Sequence, residues 1–214
     1  MPELIHQLRE RLLAPLPGLD AQLRMTSKNI GTIRRGYKVP EKHKKAAVMT
    51  LLYKKEDIWH TALMQRPESP YPHSKQVSFP GGGVEEIDFS FKHAALRETE
   101  EEFGIPQQEI EVIGNLSQLY IPVSGYLVYP FVGVMNNVPS FVPDTSEVAE
   151  IIEVPVRHLL DQSLRKKTSI EIFGGHVLDN VPYFDLASKV VWGATAMMLS
   201  EFSTVLEEIE YQLL

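Results

Sequence analysis

The amino-acid sequence predicts an α/β sandwich built on a mixed β-sheet. Three observations carry that expectation: strand-like and helix-like runs alternate along the chain, no repeat or low-complexity tract interrupts them, and 214 residues suit one domain. Hydrophobic residues make up 43% and charged residues 23%, ordinary globular proportions that set aside disordered, collagen-like and coiled-coil chains.

Residues 3 to 13 place Leu4, Ile5, Leu8, Leu12 and Leu13 at helical spacing, and Pro15 and Pro17 break the pattern. This stretch is interspersed with Glu3, Arg9, Glu10 and Arg11, so it is no export signal. No run reaches the ~20 apolar residues of a membrane helix. From Thr26 to Lys45 seven basic residues (Lys28, Arg34, Arg35, Lys38, Lys42, Lys44, Lys45) face Glu41 alone, a local charge of +6. Such a run is either solvated surface or a rim that steers anions. AAVMTLLY and IWHTALMQR then read as two strands joined by the polar turn Lys54-Lys55-Glu56-Asp57.

After a proline-rich loop, QVSFPGGG reads as a short strand running into a turn that glycine accommodates. Ser90 to Phe103 is a helix, with Ser90 as N-cap and Gly104 and Pro106 as stop signals. Strands are expected at 109–119, 126–136 and 148–154, a short helix near 155–161, and extended pieces around 168–178. Val190 to Leu213 reads as a long amphipathic helix. The two terminal helices either pack internally or form the seam of a homodimer.

Charge and composition narrow the chemistry. With 21 basic and 28 acidic residues the net charge is −7, which argues against a general nucleic-acid binder. The absence of cysteine removes disulfides, thiolate zinc and cysteine nucleophiles together, and fits a reducing cytosol. Much of the acid excess is local: residues 85 to 102 hold seven acids against Lys92 and Arg97, a charge of −5.

On the helix, Glu98, Glu101 and Glu102 fall within an arc of about 100°, on the side of Phe91, Ala94 and Ala95. Leu96, Thr99 and Phe103 form a second, mostly apolar stripe. Like charges three and four apart cost roughly 0.2–0.5 kcal/mol per pair, and acids near a helix C-terminus oppose its dipole. A divalent cation offsets that repulsion; the alternative is a solvated glutamate-rich helix softened by Arg97 and Lys92. Mg2+ prefers hard oxygen ligands and usually keeps waters while bridging to substrate phosphates.

The order of these residues resembles the signature of the Nudix hydrolases, G-x5-E-x7-R-E-U-x-E-E-x-G-U. Arg97, Glu98, Glu101, Glu102, Gly104 and Ile105 match its second half in register. Thr99 replaces the usual aliphatic residue, and strict register puts Phe89 at the first acid; Asp88 lies one residue earlier, as if the loop were one residue longer. Upstream, ALMQRPESPYPHSKQVSFPGG from Ala62 is similar to the motif of the coenzyme A pyrophosphatase branch through Arg66 and Phe79-Pro80-Gly81-Gly82. Met64, Pro67, Tyr71 and Lys75 depart from it, at the places of a Thr, a Ser, a second Arg and a Gly.

The resemblance implies a Nudix-like α/β/α sandwich with a catalytic helix after a glycine-rich loop. Residues 45–214 would form the Nudix domain, and the helix and basic segment of 1–44 would pack on it or flank it. It implies hydrolysis of a diphosphate linking a nucleoside to another moiety. Coenzyme A or an acyl-coenzyme A leads, yielding 3',5'-ADP and phosphopantetheine; ADP-ribose or a nucleotide sugar is the alternative, and a non-catalytic ligand-binding regulator the alternative of another class. Glu98, Glu101 and Glu102 would hold the metal, Mg2+ or Mn2+. Arg97 would orient a box carboxylate, and Gly81 and Gly82 would allow close backbone approach. Arg66 and Lys75 are phosphate-binding candidates, while Phe79 is pocket wall or core. Glu147 is the proton acceptor or simply a solvent-facing acid. His93 and His73 have no partner at metal-ligand spacing and are read as non-ligands. A small nucleotide is the expected partner, with neither nucleic acid nor membrane.

Overall fold

The computed structural model describes residues 3–27, 31, 34–36, 38–70, 74–172 and 174–209. Its centre is β1 (Lys44–Lys55), whose alternate residues feed two cores. Ala47, Met49, Leu51 and Tyr53 point into one cluster, and Ala46, Val48 and Leu52 into the other. A strand buried on both faces cannot show an apolar/polar alternation, which is why AAVMTLLY is almost continuously apolar.

β1 joins β2 (Ile58–Gln65) through Glu56 and Asp57, both at positive φ (50° and 63°), the geometry of a tight hairpin turn. Past Thr61 the two strands diverge, and residues 77–83 fill the wedge between them. There β3 (Val77–Ser78) pairs with Met64 and Gln65, and β4 (Gly81–Gly83) pairs with Ala46 to Val48. The glycine turn is therefore itself a sheet strand. β5 (Glu111–Asn115) and β6 (Leu119–Ile121) pair antiparallel with β7 (Tyr126–Val134), which runs parallel to β1. β8 (Glu150–Pro155) pairs with β2, completing an eight-stranded mixed sheet.

Helices cover both faces. On the Met49 side lies the helix Phe91–Phe103. On the Leu52 side lie α1 (Glu3–Leu13), α2 (Gly18–Gln22) and the last helix, Gly193–Glu208. We number the Phe91–Phe103 helix α3 and the last one α4. The result is the expected α/β/α sandwich. Among the described residues no helix is long and apolar enough to cross a membrane.

The last helix corrects the sequence reading twice. Val190 and Val191 are not helical, because β11 (Lys189–Val191) pairs with β10 (His176–Leu186), and helix begins only at Gly193. Nor is it amphipathic: every residue from Thr195 to Leu206 is buried, Glu201 included. The Glu201 carboxylate accepts hydrogen bonds from Gly18 N–H (3.0 Å), Ser117 N–H (3.2 Å) and Gln22 Nε2 (2.8 Å), which satisfy it without a cation. Leu4, Ile5, Leu8 and Leu12 bury their stripe in the same core, and Arg11 pairs with Glu208, so the terminal helices pack on each other rather than present a seam. Residues 168–172 and 176–178 belong to a separate antiparallel sheet of β9 (Arg165–Ile172), β10 and β11. Of the basic run, Lys28 lies outside the described residues; Arg34 donates to Tyr120 O (3.0 Å) and Arg35 pairs with Asp20. The end of the expected terminal helix, past Ile209, also lies outside them.

Candidate active site

Ser90 caps α3 by accepting from His93 N–H (3.1 Å), and Gly104 ends it at φ 68°, where Gly104 N–H donates to Glu100 O (2.8 Å). Ala94 and Ala95 are fully buried, so the face they share with Glu98 and Glu102 lies close to β1 and β4. Two of the three carboxylates are thereby drawn out of solvent. Glu102 is 1% exposed, and its Oε2 accepts from Gly81 N–H at 2.7 Å. Glu98 lies against Gly82, where an added Cβ would meet its Oε2 at 2.4 Å. Gly81 has φ 146°, and a Cβ there would meet Ala47 O at 2.3 Å. The backbone requires glycine at Gly81, whereas at Gly82 a Cβ would displace the end of the Glu98 side chain.

Glu101 is placed differently. Its side chain is 56% exposed and it takes the Arg97 Nη1 at 2.7 Å. Arg97 itself is 6% exposed and ties the loop to the helix: it donates through Nε and Nη2 to Asp88 (3.1 and 3.0 Å), through Nη2 to Gly83 O (3.1 Å), and contacts Glu98 Oε1 at 2.9 Å. Asp88 also accepts from Glu85 N–H (2.9 Å) and meets His93 Nδ1 at 2.9 Å. The arginine bonds, followed by those of Glu85 and His93, hold the Asp88 carboxyl at about 2 despite its burial. Asp88 therefore occupies the first acidic position, and Phe89, which strict register puts there, is 82% exposed. The longer loop accounts for the mismatch. Thr99 is accommodated because its hydroxyl donates to Ala95 O at 2.7 Å.

Burial pushes the carboxyl of Glu102 up to about 8, the Gly81 bond opposing and Glu98 and Glu147 adding to the rise. Glu98 is raised too, by desolvation first, with Arg97 opposing. Their proximity to Glu147 follows from the loop before β8. Val142 N–H donates to Phe103 O (2.9 Å), Asp144 N–H to Glu102 O (3.2 Å) and Ala149 N–H to Gln65 O (2.9 Å), tying that loop to the end of α3 and to β2 beside Arg66. Arg66, half-buried, lowers Glu102 by its charge and has no ion pair of its own among the described residues.

The other expectations fare unevenly. Lys75 is turned to Glu68 (2.8 Å) rather than to the acids. Phe79 is 1% exposed in the core on the side opposite α3, so it is packing and not pocket wall. Tyr71 and His73 lie outside the described residues. Among the described residues no three carboxylate or imidazole side chains converge as a ready metal cluster, and Arg97 Nη1 bridges Glu98 and Glu101. The donor chemistry nevertheless fits a hard cation: Glu98 and Glu102 are desolvated oxygens with raised proton affinity, and Glu101 is one helical step away. Cavities of about 220 and 100 Å3 open elsewhere, one beside Arg34 and Leu119 and one beside Trp59 and Ile5, and neither is lined by a box acid. Sequence reasoning noted Asp88 but missed its role as the anchor of Arg97, for which the longer loop was the signal. Nothing in the sequence pointed to His93 as its partner.

The family model described as the NUDIX domain matches residues 42–172. The chain is 34% identical over 141 residues to a protein of Photorhabdus laumondii named "Uncharacterized Nudix hydrolase NudL", covering 66% of this chain and 74% of that one. It is 33% identical over 164 residues to a protein of the same name from Shigella flexneri, covering 77% and 83%. Among solved structures, a C. elegans Ap4A hydrolase in a binary complex superposes with a TM-score of 0.51 at 17% identity, covering 77% of this chain and 98% of that one. A MutT protein from Methanosarcina mazei gives 0.51 at 16%, covering 79% and 99%. At that identity the two structures speak for the fold alone.

Proposed function

Because the chain belongs to the Nudix hydrolase family, we propose that it is a metal-dependent pyrophosphohydrolase that cleaves coenzyme A or an acyl-coenzyme A to 3',5'-ADP and phosphopantetheine. The observation that carries the hydrolytic site is the pair of half-buried Glu98 and buried Glu102, set around Gly81-Gly82 and flanked by Arg66 and Glu147. Glu98, Glu101 and Glu102 would hold Mg2+ or Mn2+, which supplies charge neutralisation of the diphosphate and a bound water of lowered pKa.

The remaining steps belong to the protein. Arg97, clamped by Asp88 and Gly83 O, holds Glu98 and Glu101 in fixed orientations, a positioning role. Arg66 lies near enough to Glu102 to act on it by charge and supplies a cation for a phosphate oxygen. Glu147 is exposed, close to Glu98 and Glu102, and takes the proton of the attacking water. The branch assignment rests on Arg66 and Phe79-Pro80-Gly81-Gly82. ADP-ribose or a nucleotide sugar is the second reading, favoured by one observation: Lys75, which could replace the charge missing at Tyr71, is committed to Glu68.

Purified protein with Mg2+ or Mn2+ should be offered coenzyme A, acyl-coenzyme A, ADP-ribose and nucleotide sugars, with products identified by mass. Release of 3',5'-ADP and phosphopantetheine is expected. AMP from ADP-ribose alone would move the assignment to the second reading. Ligand binding without turnover at millimolar metal would make the chain a regulator.

A further inference from the structure

The three-stranded sheet is not used by the chemistry above, and its outer strand is unfinished. β9 pairs with β10 on one side and, among the described residues, with no strand on the other. A free edge offers a row of N–H and C=O groups to any incoming strand, and proteins blunt such edges with proline, bulges or charge. RKKTSIEI contains no proline, and the irregularity in this ladder sits on β10 between Leu178 and Val181. Its charges are only partly spent. Arg165 lies over the Phe184 ring (5.5 Å) and bonds Ser203 Oγ (3.1 Å), while Lys166 pairs with Asp185 (2.7 Å). Lys167 and Glu171 are exposed and have no ion-pair partner among the described residues.

We propose that β9 is a homodimer seam, pairing antiparallel with β9 of a second copy about a two-fold axis through Ser169. A two-fold perpendicular to the sheet keeps each side chain on its own face, so the axis must pass through a residue and not between two. Centred on Ser169, the pairing sets Lys167 opposite Glu171 of the partner subunit, and Glu171 opposite Lys167 of the partner subunit. Centred on Thr168 or Ile170, it leaves Lys167 without an acid. The half-buried Ile170 then lies opposite Thr168 of the partner subunit and next to Leu178 of its own hairpin, lengthening the apolar strip. Opposite charges directly across an antiparallel pair stabilise it, and like charges there destabilise it.

Sedimentation velocity on the full chain at protein concentrations from about 1 to 100 µM, the range of a moderate self-association, tests this. A dimer is expected. Glu171→Lys replaces two attractions with two repulsions and should raise the dissociation constant about tenfold or more. The exchange Lys167→Glu with Glu171→Lys should restore the dimer, which separates pairing from loss of folding. A wild-type chain that stays monomeric over the range, a dimer indifferent to Glu171→Lys, or a double variant as weak as the single would each overturn the proposal.

Discussion

Glu102→Gln separates the electrostatic from the catalytic role of the buried acid. Glutamine keeps the shape and can still accept from Gly81 N–H, so the variant deletes the charge and little else. In the native fold the Glu102 carboxyl sits at about 8 against an ordinary 4.5, which corresponds to about 5 kcal/mol between its two protonation states. Local relaxation absorbs part of this, and about 2 kcal/mol is the expected measurable share. The sign follows from proton counting. Between pH 4.5 and 8 the folded chain holds a proton that the unfolded chain has lost, so this group's contribution is complete below 4.5 and gone above 8. Without metal, the variant should therefore match wild type near pH 4.5 and exceed it by about 2 kcal/mol at pH 9, measured by urea denaturation in chelator. Added Mg2+ or Mn2+ should stabilise wild type and not the variant, and metal-dependent turnover should vanish. A variant no more stable than wild type at pH 9, or one with full turnover, would refute the reasoning.

Three further outcomes follow from the same geometry. Gly82→Ala should leave the fold nearly intact and cut kcat about tenfold or more, because its Cβ displaces only the flexible end of Glu98, whereas Gly81→Ala meets backbone and should lower Tm sharply; steady-state kinetics and thermal melts distinguish the two. Arg97→Ala strands the buried Asp88 carboxylate and should cost about 3–5 kcal/mol in chemical denaturation; Arg97→Lys, which cannot reproduce the fork, should recover only part of it. Phe79→Ala should destabilise by about 3–5 kcal/mol while KM at permissive temperature stays unchanged; a raised KM with normal stability would return Phe79 to the pocket wall.

The box helix was legible because each of its signals is local. Ser90, Gly104 and the i, i+3, i+4 spacing of the glutamates depend on residues within one turn of each other. The hairpin of β1 and β2 was legible for the same reason. What sequence spacing could not distinguish was environment. Glu98, Glu101 and Glu102 share a helix face, yet Glu101 is exposed and Glu102 buried, because β4 enters the wedge between β1 and β2 and covers only part of that face. Phe79 precedes the glycines by two residues but points into the core opposite α3, on the same side as Val77 two residues earlier. The pattern of helix α4 looks amphipathic because Glu201, Ser203 and Thr204 read as solvent-facing until their partners, Gly18 and Gln22 of α2, Ser117 and the helix's own Ser200 O, are known.

The sequence by itself determined the family, the identity of the acids and the glycine turn, since these are patterns of residue type over short distances. Only the tertiary structure decided which acids Arg97 holds, that Glu102 is buried, and that Glu147 and Arg66 lie near enough to act on it by charge. Those depend on desolvation and charge across segments 30 to 80 residues apart, which the strand order and the loop bonds to Glu102 O and Phe103 O bring together.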